Sequence, residues 1–162
     1  MIGTAVALSL LASGWVAGEE TLEFALGEGA SDRVEVLTLM IDGEGPTPII
    51  TCDTEGNIGA MLLLSETDPE RSLDQRFSRR RMASGAILAD GQTVYRGEYP
   101  GLDRDLYHVK SRKAAAEIYN AAIRGEALSF KQDGRRKPHS LNVPPVDDAF
   151  RSFASKCSAR RD

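Results

Sequence analysis

The alternation of apolar runs with turn residues divides the chain into short strands followed by two helices. From Met1 to Gly18 no residue is charged, and Ala5 to Ala12 is a continuous stretch of apolar and small residues that ends before Glu19 and Glu20. Arg33 to Ile41 is β-branched and apolar, and the turn cluster Asp42-Gly43-Glu44-Gly45-Pro46 stops it. Pro48 to Cys52 and Ile58 to Leu64 follow, separated by Asp53-Thr54-Glu55-Gly56-Asn57. Links this short predict an antiparallel meander, because a parallel crossover needs a dozen residues or more. Ala83 to Ala89 and Thr93 to Tyr99 flank Asp90-Gly91-Gln92, a hairpin signal in which glycine supplies the positive φ of a tight loop. Asp105 to Lys110 adds a further strand.

Helical spacing begins after Ser111, the expected N-cap. Ala115, Ile118, Tyr119, Ala122 and Ile123 share one face of a helix over Arg112 to Arg124, and Gly125 is placed to end it. Leu128 to Gln132 and Ser140 to Val143, around Asp133-Gly134, predict a last hairpin that Pro144 and Pro145 terminate. Asp147 or Asp148 starts the final helix, whose inner face carries Ala149, Phe150, Phe153, Ala154 and Cys157. The fold class expected is α+β: a mostly antiparallel sheet or sandwich with two short helices in the C-terminal half.

Composition narrows the functional classes. At 162 residues, 41% apolar and 27% charged, the chain is one domain's worth of ordinary globular sequence, not collagen-like, coiled-coil or multi-spanning membrane sequence. With 20 basic against 24 acidic residues, and the basic ones in short separate clusters, nucleic-acid binding is not expected, since it depends on neutralising many phosphates.

The uncharged first 18 residues resemble the apolar segment of a secretory leader, although no Lys or Arg precedes the apolar run. Small residues allow a cut after Gly14, with Ala12 at −3, or after Gly18, with Val16 at −3. A retained anchor, which needs about 20 predominantly apolar residues, and a buried first strand or helix are the competing readings. The expected division is residues 1–18 as signal peptide and 19–162 as a single globular domain with no transmembrane span, in the periplasm or secreted. An oxidising compartment makes Cys52 and Cys157 a disulfide pair, tying the last helix to the Pro48 to Cys52 strand. It would close a loop of about 106 residues, on the order of 4 to 5 kcal/mol in the chain-entropy picture. Two buried reduced thiols are the alternative.

The segments TPIITCDTEGNIGAMLLL at 47–64 and LNVPPVDDAFRSFASKC at 141–157 lie within an order of parts similar to that of the invasion-associated locus B family. The resemblance implies a small exported proteobacterial protein, periplasmic or surface-located, with an antiparallel β-sandwich and no established catalytic site. It transfers no functional residue to this chain.

Catalytic patterns are weak. His108 and His139 are not accompanied by a G-x-S-x-G elbow, and Ser84 lies in ASGA. Asp103, Asp105, Asp147 and Asp148 form no defined acid and base pair. Cys52, His108, His139 and Cys157 have zinc-ligand chemistry but not the closely spaced pairs of a zinc site. The turns at 53–57 and 102–105 are too poor in carboxylates for an EF-hand loop, and no glycine-rich phosphate loop is present. No catalytic residue, metal or cofactor is therefore assigned.

Two basic clusters carry more weight. Arg76, Arg79, Arg80 and Arg81 surround Phe77 in the charged connection Ser65 to Arg81, and Arg135, Arg136, Lys137 and His139 occupy the late turn. Arginine forks pair with carboxylates and phosphates. The alternative is solvated loop charge. The expected function is a non-catalytic exported envelope protein with a binding or accessory role, using Arg76, Phe77, Arg79, Arg80 and Arg81 on an exposed loop. Its partner would be an envelope protein, an anionic glycan or a lipid headgroup. A structural subunit of an envelope or secretion assembly comes second and an enzyme of unrecognised type third.

Overall fold

The computed structural model describes residues 14–27, 30–65, 77–78, 82–103 and 105–162. These residues form β1 (Trp15–Gly27), β2 (Ala30–Ile41), β3 (Thr47–Cys52), β4 (Ile58–Leu63), β5 (Phe77–Ser78), β6 (Met82–Ala89), β7 (Gln92–Asp103) and β8 (Leu106–Val109). Helix α1 (Arg112–Arg124), β9 (Leu128–Gln132), β10 (His139–Ser140) and α2 (Asp148–Ala159) complete the set. The strands make one sheet in the order β10-β9-β6-β7-β8-β4-β3-β2-β1-β5, with every pair antiparallel except β1 with β5. The α+β class and the three-strand meander β2-β3-β4 thus match the sequence expectation.

The sheet changes partner along β7. Its first part pairs with β6 as far as Pro100 opposite Met82, and Gly101 and Asp103 then pair with β8 across an irregularity in register. A proline, which has no N–H to give to a ladder, and a bulge suit the place where a strand is handed from one neighbour to the next. The β6–β7 hairpin turns at Asp90 and Gly91, both at positive φ (48° and 78°), as a two-residue turn of this twist requires.

Alternation along the second half of β2 explains why Val36 to Ile41 are apolar except for Thr38. Leu37, Leu39 and Ile41 enter the main core between the sheet and both helices, while Val36 and Met40 join Ile49, Met61, Leu63, Leu102 and Leu106 on the opposite face. Both faces are buried over residues 36–41, so this half of the strand is a run of hydrophobics and not a polar-apolar alternation, whereas Asp32, Arg33 and Glu35 in the first half are exposed.

Helix α1 follows its sequence signals. Ser111 Oγ accepts the amide of Ala114 at 3.2 Å, and Gly125 adopts φ 69° after the last turn. Ala114, Ala115, Ile118, Ala121 and Ala122 are buried; the small side chains let the helix lie close to the sheet. Ile123, expected on that face, is instead 49% exposed, because the buried stripe runs through Ala121 and Ala122. The final strand is also shorter than expected. It stops at Ser140, after which Asn142 N donates to Pro46 O at 2.8 Å and the chain leaves the sheet.

Strand β1 has no counterpart among the strands expected along the chain; a buried first strand is only the competing reading of the uncharged N-terminal stretch. Trp15 to Gly18, grouped with the leader above, pair with Ile41, Met40, Leu39 and Thr38, and Trp15 is 4% exposed. Among the described residues no helix is long and apolar enough to cross a membrane.

Candidate functional site

Three features of the surface hold chemistry: a disulfide-centred knot, a shallow groove beside it, and a basic turn at the other end of the sheet.

The knot joins the end of β3 to the end of α2. Cys52 and Cys157 are bonded, with Cα atoms 5.8 Å apart. The following turn is organised by Asp53, whose Oδ1 accepts the amides of Glu55 (2.9 Å) and Asn57 (2.8 Å) and whose Oδ2 accepts Asn57 Nδ2 (2.9 Å). Burial pushes this carboxyl up, but the bonds from Asn57 and Glu55 and the charge of Arg112 together hold it below its ordinary value. Gly56 turns at φ 80°, and a Cβ there would run into Arg161 Cγ and meet Cys157 O at 3.0 Å. Arg160 Nη1 donates to the carbonyls of Cys52 (3.1 Å) and Asp53 (3.0 Å), and Arg161 Nε to that of Gly56 (2.7 Å). Both C-terminal arginines are therefore committed to the backbone of the knot.

The groove, about 220 Å³, has an apolar floor that includes Leu22, Val34 and Val36. Asp53, Asn57, His108, Lys110 and Arg112 stand at its rim. Among the described residues no group of three His, Cys, Asp or Glu side chains is gathered to hold a metal ion. The two cysteines of the zinc-type constellation are bonded to each other and have no thiolate to offer.

The basic turn is held by hydrogen bonds to its backbone. Asp133 N donates to Ser84 O at 2.8 Å, Arg135 N to Gln132 O at 3.2 Å, and Gly134 takes φ 80°. Lys131 Nζ bonds the carbonyls of both Arg135 and Arg136, and Arg96 Nη1 pairs with Asp133 Oδ1 at 2.8 Å. The turn's own carboxylate is thus occupied from outside it. Arg135, Arg136 and Lys137 are exposed and make no ion pair among the described residues. Beneath them, burial together with the charge of Arg135 pushes the His139 imidazole down from its ordinary value, against an opposing pull from Asp105. A neutral histidine leaves the positive charge of the turn to its three exposed side chains.

Of the expected binding residues, Arg76, Arg79, Arg80 and Arg81 lie outside the described residues. Phe77 lies within them, in β5, where its backbone pairs in parallel with Phe24. The expected disulfide residues Cys52 and Cys157 are brought together. Sequence reasoning missed Lys131, Arg160 and Arg161, because a cation that satisfies backbone carbonyls has no spacing signature. Asp53 with Asn57 had one, the Asx-turn composition of DTEGN.

No family model matches the chain, and no curated protein or solved structure matches it either.

Proposed function

We propose that the chain is a non-catalytic exported protein of the cell envelope, with a binding or accessory role toward an anionic partner. The observation that carries this reading is the turn at 133–138. Its backbone is fixed by Lys131, and Arg135, Arg136 and Lys137 are presented together to solvent. A turn whose backbone is already held spares the cost of ordering that backbone when its guanidinium forks pair with carboxylate or phosphate. Ser84, which accepts the Asp133 amide, lies two residues after Met82, and Met82 directly follows the cluster ending at Arg81 in sequence. Residues 76–81 extend the same proposal. The Cys52–Cys157 bond supports a periplasmic or secreted location, where disulfides persist. The resemblance to the invasion-associated locus B family points to the same compartment.

The test is capture on three supports, an anionic polysaccharide, vesicles containing anionic lipid, and envelope protein extract. The wild type is compared with two triple variants, Arg135→Glu/Arg136→Glu/Lys137→Glu and Arg79→Glu/Arg80→Glu/Arg81→Glu. Reversal should weaken capture on one support, with a steep dependence on salt. Capture unchanged at low salt in both variants, with wild-type melting, would end the proposal.

A second reading, a structural subunit of an envelope or secretion assembly, is favoured by the outer side of β1. Among the described residues, Val16 to Leu22 pair with β2 on one side and with no strand on the other. Such an edge accepts an added strand. A large complex in the native extract, by solution mass, would favour this reading over the first.

A further inference from the structure

We infer that the leader is cut between Gly14 and Trp15, and that the cut turns an amide hydrogen bond to the Asp147 carboxylate into an ion pair anchoring the new N-terminus to helix α2. This rests on the export reading above. The sequence offers two cuts of similar quality, after Gly14 or after Gly18. The fold distinguishes them by what each product retains.

A cut after Gly18 removes Trp15 and the three residues that follow it in β1. Trp15 is buried, its indole lies edge-on to Phe150 with ring centroids 5.3 Å apart, and its Nε1 donates to Pro144 O at 3.1 Å. Its main-chain N donates to Asp147 Oδ2 at 3.0 Å. The product starting at Glu19 would leave a void against Phe150 and take a donor from both Pro144 and Asp147. It would also strip Ile41, Met40, Leu39 and Thr38 of their β1 neighbours. Core voids and stranded acceptors are among the costliest defects in a small domain.

A cut after Gly14 loses much less. The described residues give Gly14 one backbone bond, from Asp42 N to its carbonyl at 2.9 Å, and Asp42 is exposed, so water replaces it. Hydrolysis by a leader peptidase adds one water across the Gly14–Trp15 peptide bond. The C–N bond breaks, Gly14 leaves with the new carboxylate, and the Trp15 nitrogen keeps the bonding pair and takes up protons to become an ammonium. That nitrogen lies 3.0 Å from Asp147 Oδ2, while Oδ1 of the same carboxylate accepts Phe150 N at 3.0 Å as the N-cap of α2. One aspartate then holds both the first residue of the mature chain and the first turn of the last helix. The carboxylate is charged before the cut, so the cut adds the opposite charge on the donor side of a bond that is already charge-assisted.

Trp15 is the single tryptophan of the chain, so the position of the cut can be read optically. The full chain would be produced with its own leader in a Gram-negative host and the periplasmic protein taken for N-terminal sequencing, intact mass and fluorescence. The expected product begins at Trp15 and shows the blue-shifted emission of a buried indole. A periplasmic product beginning at Glu19, with no tryptophan emission, overturns the inference and leaves export standing. An uncut chain with Met1 in the cytoplasm overturns both. For the ion pair, Asp147→Asn keeps an N-cap side chain and removes the charge. The α-amine of the mature variant should acylate on the order of threefold faster than the wild type, as a fall of about half a unit in the amine's pKa would give. Equal rates would overturn the anchoring.

Discussion

Arg160 donates through Nη1 to the carbonyl of Cys52, three residues beyond the cysteine to which Cys52 is itself bonded. The end of α2 is thus held to the end of β3 twice, once covalently and once by a charged donor on a backbone acceptor. The same donor reaches Asp53 O, so the attachment extends into the turn that follows.

Breaking the covalent link should be costly. Cys157→Ser is expected to lower unfolding stability by roughly 2 to 5 kcal/mol, the usual range for a small exported domain. Denaturant unfolding measures it, and non-reducing peptide mapping of the wild type should find Cys52 and Cys157 in one linked pair.

Gly56→Ala tests the close packing of the knot. The positive φ and the approach of Arg161 Cγ and Cys157 O both oppose a side chain there. A loss of about 1 to 3 kcal/mol is expected from backbone strain, more if the Arg161 contact is broken. Gly134→Ala, at the same φ of 80° but with open space around it, should cost less.

Acid should loosen the same region. The folded Asp53 carboxyl lies below its ordinary value of 3.8, so its contribution is fully present above that pH and is lost as pH falls through the folded value. Asp147 is lowered as well; burial pushes it up, but the amides of Phe150 and Trp15 outweigh that. Asp53→Asn should flatten the acid limb of a stability profile below about pH 4. An unchanged limb would show that the Asx turn does not contribute to it.

Trp15→Ala should cost about 3 to 5 kcal/mol, the range for truncating a buried aromatic. Reversing Arg135, Arg136 and Lys137 should change stability by no more than about 0.5 kcal/mol per site, because these side chains are exposed. Thermal melts of the two variants compare the core end of the chain with its surface turn directly.

Legibility in the sequence followed the strength of the local signal. Helix α1 was readable from both caps and its period, and the β6–β7 hairpin from Asp90-Gly91, because backbone conformation there is decided by one or two residues. Strand β1 was not readable. Its first four residues resemble a leader, and Glu19, Glu20, Thr21 and Glu23 then give it a polar surface that resembles a linker. Only pairing with β2, whose residues 36–41 are buried, makes it a strand, and that information lies in another segment. Ile123 was misplaced because helical spacing alone defines a face more widely than the alanine stripe that touches the sheet. For the site, clusters of like charge stood out in the sequence. The lysine and arginines that bind carbonyls, Lys131, Arg160 and Arg161, were indistinguishable from solvated charge until the chain was folded around them.

The disulfide also sets the covalent topology of the molecule. With 105 positions separating its two cysteines, β4 through most of α2 form a closed ring, from which β1, β2 and all of β3 before Cys52 extend as a tail. A single proteolytic nick anywhere between residues 53 and 156 opens the ring and releases nothing. The nicked chain keeps one mass under oxidising conditions, apart from the added water, and separates into two fragments only after reduction.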